Sequence, residues 1–227
     1  MKLAYFILAL AAPVVRAESL DDILARMDKS AKVFRSFEAN FRKTDYSALF
    51  DDKHWEEGTF KMKKLKTGVV LLGEFTGQDA RKLHIKNNQL EFYHPKANSV
   101  EVYDMRKFSK SADAFLLVGF GNSKAELLDT YNIALGATET VAGKKTTRLD
   151  LTPKKAEAKK LFNMIQIWIP EGQGNPIQEK VLSGKESKDY TLFEFSNSKI
   201  RTTADPPVPD ADFELKLPPG VNKIAGK

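Results

Sequence analysis

Residues 19–41 read SLDDILARMDKSAKVFRSFEANF, and the fold turns on where the period changes within them. Leu20, Ile23, Leu24, Met27 and Ala31 recur at helical spacing. Ser19 stands ahead of them as a capping residue, with Asp21 and Asp22 in the first turn, where the helix dipole favours acids. This predicts one amphipathic helix over about Leu20 to Val33. From Phe37 the period drops to two, as Phe37, Ala39 and Phe41 alternate with Glu38, Asn40 and Arg42. That is the pattern of a strand with one buried face.

The same alternation continues downstream. Phe60 and Met62 alternate with Thr59 and Lys61, Val69 to Phe75 is apolar on both faces, and Leu83 and Ile85 alternate with lysines and His84. Asn87-Asn88 marks a turn before Leu90 to Tyr93, and His94-Pro95 closes that run. Val100 and Val102 follow. Further strands are predicted at Tyr131 to Leu135, Thr146 to Leu151, Met164 to Ile169, Ile177 to Leu182 and Tyr190 to Phe195. Phe213, Leu215 and Leu217 read as a last strand after the stiff segment Asp205 to Pro209. About eleven short strands separated by turn signals predict a mainly β chain built as an antiparallel meander. Two stretches break the rhythm. Phe115 to Gly121 is compact and apolar, and Asn122 is read as the cap of a short helix over Lys124 to Thr130; Pro153 to Phe162 reads as a lysine-rich helix.

Upstream, Met1-Lys2 precedes an apolar run from Leu3 to Val15, and Val15-Arg16-Ala17 places small residues where a signal peptidase reads them. Residues 1–17 are therefore expected to be a cleavable export signal, and residues 18–227 one domain. The chain has 42% hydrophobic and 29% charged residues, ample for a sizeable core. Its net charge of +6 is mildly basic and does not point to nucleic acid. There is no cysteine, so the core holds without disulfides and zinc–thiolate chemistry is excluded.

Catalytic patterns are missing. His54, His84 and His94 lie in no metal-binding arrangement; His84 is read as a residue of a polar strand face and His94 as a turn residue. There is no nucleophile elbow. Gly143-Lys144-Lys145-Thr146 reads as a hairpin turn, and the adjacent Glu56 and Glu57 point to opposite strand faces, so they do not act as an acid–base pair. The chain is expected not to be an enzyme, and no cofactor or metal is called for. Lys61, Lys63, Lys64 and Lys66 form a basic cluster at a strand end, either a solvated rim or a contact for an anionic partner or lipid head group.

Several stretches, in order, resemble the LolA family of periplasmic outer-membrane lipoprotein carriers. They are the helix leading into Ser36 to Phe41, then Glu57-Gly58-Thr59-Phe60, then Leu90 to Pro95, then Leu149 to Lys154, and lastly Phe213 to Val221 with its Pro218-Pro219-Gly220. The likeness covers nearly all of the chain after the signal. It implies an open, incomplete antiparallel β-barrel with helices over its concave face and a cavity for acyl chains. Together with the period-two pattern it nominates Phe37, Phe41, Phe60, Leu71, Phe75, Ile85, Phe92, Leu149, Ile165, Ile167 and Phe193 as the lining, and Leu116, Leu117 and Phe120 as part of a lid. In the family a basic residue after the second strand hydrogen-bonds to the lid and holds the empty carrier closed. Lys64 stands there, followed by Leu65 where the family has proline. The implied role is that of a monomeric periplasmic carrier. It would take lipoprotein acyl chains from an inner-membrane releasing transporter to an outer-membrane acceptor. A carrier of free lipid or glycolipid and a lipid-sensing envelope regulator are the other readings.

Overall fold

The computed structural model describes residues 18–65, 68–105, 118–184 and 188–226. The expected signal (1–17) and the lid residues Leu116 and Leu117 lie outside these. The helix predicted at the start is α1, Leu20–Val33. Ser19 Oγ accepts from the Asp22 amide at 3.2 Å, and the Asp22 carboxylate accepts from the Ser19 amide at 3.1 Å. This reciprocal cap satisfies two amides that the helix itself leaves unpaired. Ser19→Ala is expected to cost about 1 kcal/mol of stability, read by urea unfolding. An unchanged midpoint would assign the start of α1 to its packing instead.

The helix passes directly into β1 (Phe34–Ser47). The strands β2 (Asp52–Leu65), β3 (Gly68–Phe75), β4 (Arg81–Lys86), β5 (Gln89–His94) and β6 (Ser99–Asp104) follow as successive hairpins. After α2 (Lys124–Thr130) come β7 (Tyr131–Val141), β8 (Lys144–Pro153), α3 (Ala156–Leu161), β9 (Met164–Pro170), β10 (Gln178–Leu182), β11 (Tyr190–Thr202) and β12 (Asn222–Ala225). They form one 12-stranded sheet in the order β12-β6-β5-β4-β3-β2-β1-β11-β10-β9-β8-β7. The edges, β12 and β7, do not pair, so the sheet is open. Two left-handed residues make each of the tight turns Asn87-Asn88 and Ala142-Gly143, the backbone that two-residue hairpins require.

Residues opposite one another in register share a face. One row runs Phe37, Met62, Leu71, Ile85, Leu90. Another runs Lys43, Phe193, Glu179, Ile167, Leu149, Leu135. Both rows lie on the same face, since Phe37 and Lys43 are separated by an even number of residues along β1. The helices cover the β7–β9 end of that face. Ile23, Leu24 and Met27 of α1, Leu127 of α2 and Ala158 of α3 pack with Leu149, Leu151, Ile165, Ile167 and Ile169 into one core. Phe34, Phe37, Met62, Leu71, Ile85, Met105 and Phe120 make a second.

Four expectations need correction. Phe213, Leu215 and Leu217 form no strand. Asp210–Phe213 is a 3-10 turn that buries Phe213 against Val70 and Val208, on the face away from the helices. Prolines at 206, 207, 209, 218 and 219 bracket the segment and cannot donate to a ladder, so their period-two neighbours stay unpaired. The last strand is β12, pairing parallel to β6. The cap of α2 is Ser123 rather than Asn122, in a second reciprocal cap with Glu126. The lysine-rich helix is shorter than predicted, because Pro153 still belongs to β8. His84 is buried instead of solvated, its Nδ1 2.7 Å from Glu91 Oε2.

Candidate functional site

All eleven nominated lining residues fall on the helix-covered face, as the register rows dictate. They do not line one space. Leu149, Ile165 and Ile167 have no exposed surface and are filled in by α1 and its neighbours. Phe37, Leu71 and Ile85 belong to the second core, with half-buried Phe60 against it. Phe92 stands apart toward the β12 edge, edge-on to Tyr103 of β6 with ring centres 6.1 Å apart.

The centre of the face is an aromatic cluster. Phe120 lies on Phe37 at 4.3 Å between ring centres and meets Phe195 at 5.6 Å. Phe37 meets Phe195 at 5.6 Å and Phe60 at 6.0 Å. Phe41 continues the row toward Phe75, at 5.0 Å, and Phe193, at 6.4 Å. A groove of about 510 Å³ is lined by Phe41, Gly58 and Phe195 together with Asn40, Arg42, Glu57, Thr59, Glu194 and Ser196, which by register belong to the opposite face of the sheet.

Beyond Phe75 the face turns charged. The Arg81 guanidinium lies 3.9 Å over the Phe75 ring and binds Glu56, with Nη2 donating to Oε2 at 2.9 Å. Lys43 donates to the same carboxylate at 3.3 Å. The Arg81 bond above all, against the opposing effect of burial, lowers the Glu56 pKa to about 2. An apolar floor therefore ends at a fixed, ionised rim.

Sequence reading missed Phe195 and Glu179. Phe195 stands directly opposite Phe41, two residues along β11 from Phe193 and on the same face. Glu179 has 1% of its surface exposed, in the row between Ile167 and Phe193. Its Oε1 has no hydrogen-bond partner among the described residues. Burial raises its pKa well above the usual carboxylate range, and burial with the nearby Glu179 charge pushes Tyr131 up as well. Only the shared parity of Glu179 with Ile177 and Val181 signals its placement.

The segment Val118–Gly121 crosses this face, with Val118 in the first core and Phe120 in the second. It runs through two left-handed glycines. A side chain on Gly119 would meet Pro176 at 2.9 Å, and one on Gly121 would meet the Phe34 ring at 2.8 Å, so only glycine lets the segment lie this close. Lys64 Nζ donates to Gly121 O at 2.7 Å. Its charge also contributes to holding the Glu126 carboxyl below the usual range, behind the stronger effect of the Ser123 amide. The start of α2 is tied to α1 through the Lys124 amide, which donates to Asp28 at 3.1 Å.

No protein-family model matches the chain, and no curated protein matches it. Among solved structures it is similar to an uncharacterized conserved protein from Thermus thermophilus, with TM-score 0.54 and 11% identity over 92% of this chain and 100% of that one. It is also similar to MucB, with TM-score 0.51 and 14% identity over 86% of this chain, and it spans 62% of the MucB chain. These likenesses show the fold alone. The fold of this chain is an open, mostly antiparallel sheet with a helix feeding its central strand and helices against one face. The LolA superfamily protein NE2245 from Nitrosomonas europaea aligns over 88% of this chain and 99% of its own, at 14% identity and TM-score 0.43, a score too low to add weight.

Proposed function

We propose that this protein is a periplasmic carrier that shelters the acyl chains of lipoproteins against the helix-covered face of the sheet. The observation that carries the reading is Phe120, which lies on Phe37 and Phe195 at the centre of an aromatic cluster. An acyl chain that displaces Phe120 keeps the cluster dry and gains about 0.8 kcal/mol for each methylene buried. The gain is offset by the cost of lifting Val118–Gly121, which keeps cargo releasable. No covalent step enters this mechanism. Phe37, Phe41, Phe60 and Phe195 are the proposed lining, with Phe120 in the lid and Lys64 as its latch. An inner-membrane releasing transporter and an outer-membrane acceptor are the partners such a carrier requires.

A fluorescent long-chain fatty acid is expected to bind with micromolar affinity or better. Phe60→Glu, at a half-buried position, is expected to weaken binding about tenfold or more, because it sets a carboxylate among aromatic rings. Unchanged affinity in that variant would remove the aromatic cluster from the site. Mass spectrometry of material purified with the protein tests the cargo. Lipopeptides support the reading, and free lipids alone would replace it with lipid carriage.

A further inference from the structure

A second pocket lies apart from the aromatic cluster, at the end of the sheet where β1 begins and β2 ends. It holds about 230 Å³ and is lined by Arg35, Ser36, Lys63 and Lys64 from the strands and by Pro206, Pro207 and Val208 from the segment above. Ser36 has 1% of its surface exposed, and its Oγ has no hydrogen-bond partner among the described residues. A buried hydroxyl without a partner is costly and calls for an explanation. Neither the strands nor the segment above supplies a partner among the described residues.

The cations around the hydroxyl have donors to spare. Lys63 Nζ donates to Val208 O at 2.8 Å and to Asp210 at 2.5 Å, two of its three N–H groups. Arg35 spends one on Asp205 O at 3.4 Å, while Lys64 turns its ammonium to the other face of the sheet, onto Gly121 O. Arg201 lies opposite Ser36 in register, on the same face. Its Nε is buried without a hydrogen-bond partner among the described residues, with Glu38 3.7 Å away as its ion pair. One hydroxyl and several unspent cationic donors around a small pocket match a compact anion with several acceptor oxygens.

We propose that this pocket binds a phosphoryl group, received by Ser36 Oγ and the spare N–H donors of Arg35 and Lys63. The group can be that of a phospholipid head or of free phosphate. The inference does not depend on acyl-chain carriage, since Ser36 and Lys63 face away from the aromatic cluster.

The test follows the Ser36 and Lys63 backbone amides by NMR in the full chain. One titration uses inorganic phosphate, the other a short-chain phosphatidylglycerol below its micelle concentration. Saturable shifts with inorganic phosphate, weakened about tenfold or more in Ser36→Ala and Lys63→Gln, support the site with free phosphate as a ligand. Saturable shifts with the lipid alone, weakened in the same variants, support it with the head group as the ligand. The proposal is overturned by shifts with neither, by shifts that sodium chloride of equal ionic strength reproduces, or by equal affinities in wild type and Ser36→Ala. That variant removes only an oxygen with no partner, so the fold is expected to survive it.

Discussion

Glu179→Met is expected to stabilise this protein at neutral pH and to flatten the dependence of its stability on pH. The carboxyl is fully buried in an apolar row, and one oxygen is unpartnered among the described residues. Burial therefore holds its pKa well above the ordinary value of 4.5. In the unfolded chain the group loses its proton near that ordinary value, while the folded chain retains it. Its contribution to stability is thus fully present below about pH 4.5 and declines as pH rises toward the folded pKa. The slope through that window is on the order of 1 kcal/mol per pH unit for one proton. Urea unfolding of wild type, Glu179→Gln and Glu179→Met at a series of pH values from 4 to 8 reads it. Wild type should lose stability with rising pH more steeply than either variant. Glu179→Met should exceed Glu179→Gln throughout, because it also removes the unpartnered polar atom. Parallel curves for all three proteins would mean that the carboxyl meets water or a partner in solution.

The face on which Glu179 lies was legible in the sequence, but its cover was not. Alternation fixes which side of a strand a residue takes, and hairpins carry that side from strand to strand. Hence eleven residues chosen one strand at a time share a face. The bounds of α1 were equally legible, since Ser19 caps its start and the helical period ends before the alternation that begins at Phe37. Period alone does not reveal what lies against a buried residue. Leu149, Ile165 and Ile167 are covered by Ile23 and Met27, while Phe37 meets Phe120 of the segment Val118–Gly121. Glu179 was hidden by its polar neighbours Gln178 and Lys180, which occupy the other face. Phe213 misled for the opposite reason: its alternation with Leu215 and Leu217 is real, yet the flanking prolines deny it a ladder. His84 shows that the face away from the helices is not everywhere solvated.

Lys64→Leu is expected to slow the release of a bound long-chain fatty acid about tenfold or more. Lys64 Nζ donates to Gly121 O at 2.7 Å in the lidded state, where Phe120 fills the aromatic cluster. A hydrogen bond from a charged group contributes about 1.5–3 kcal/mol, which converts to roughly ten- to a hundredfold in an equilibrium. Cargo and the returning segment compete for the same rings, so weakening the closed, empty state favours bound cargo. Leucine supplies no donor and removes that competition. Arginine keeps the charge and offers more donors, so Lys64→Arg should release at the wild-type rate or faster. Lys61 is the control, because its alternation with Met62 turns it to the other face of the sheet. Stopped-flow dissociation of a fluorescent fatty acid from the four proteins separates the possibilities. If Lys64→Leu and Lys61→Leu both release at the wild-type rate, Lys64 is one cation of a solvated cluster, and Val118–Gly121 is held by its aromatic and glycine packing alone.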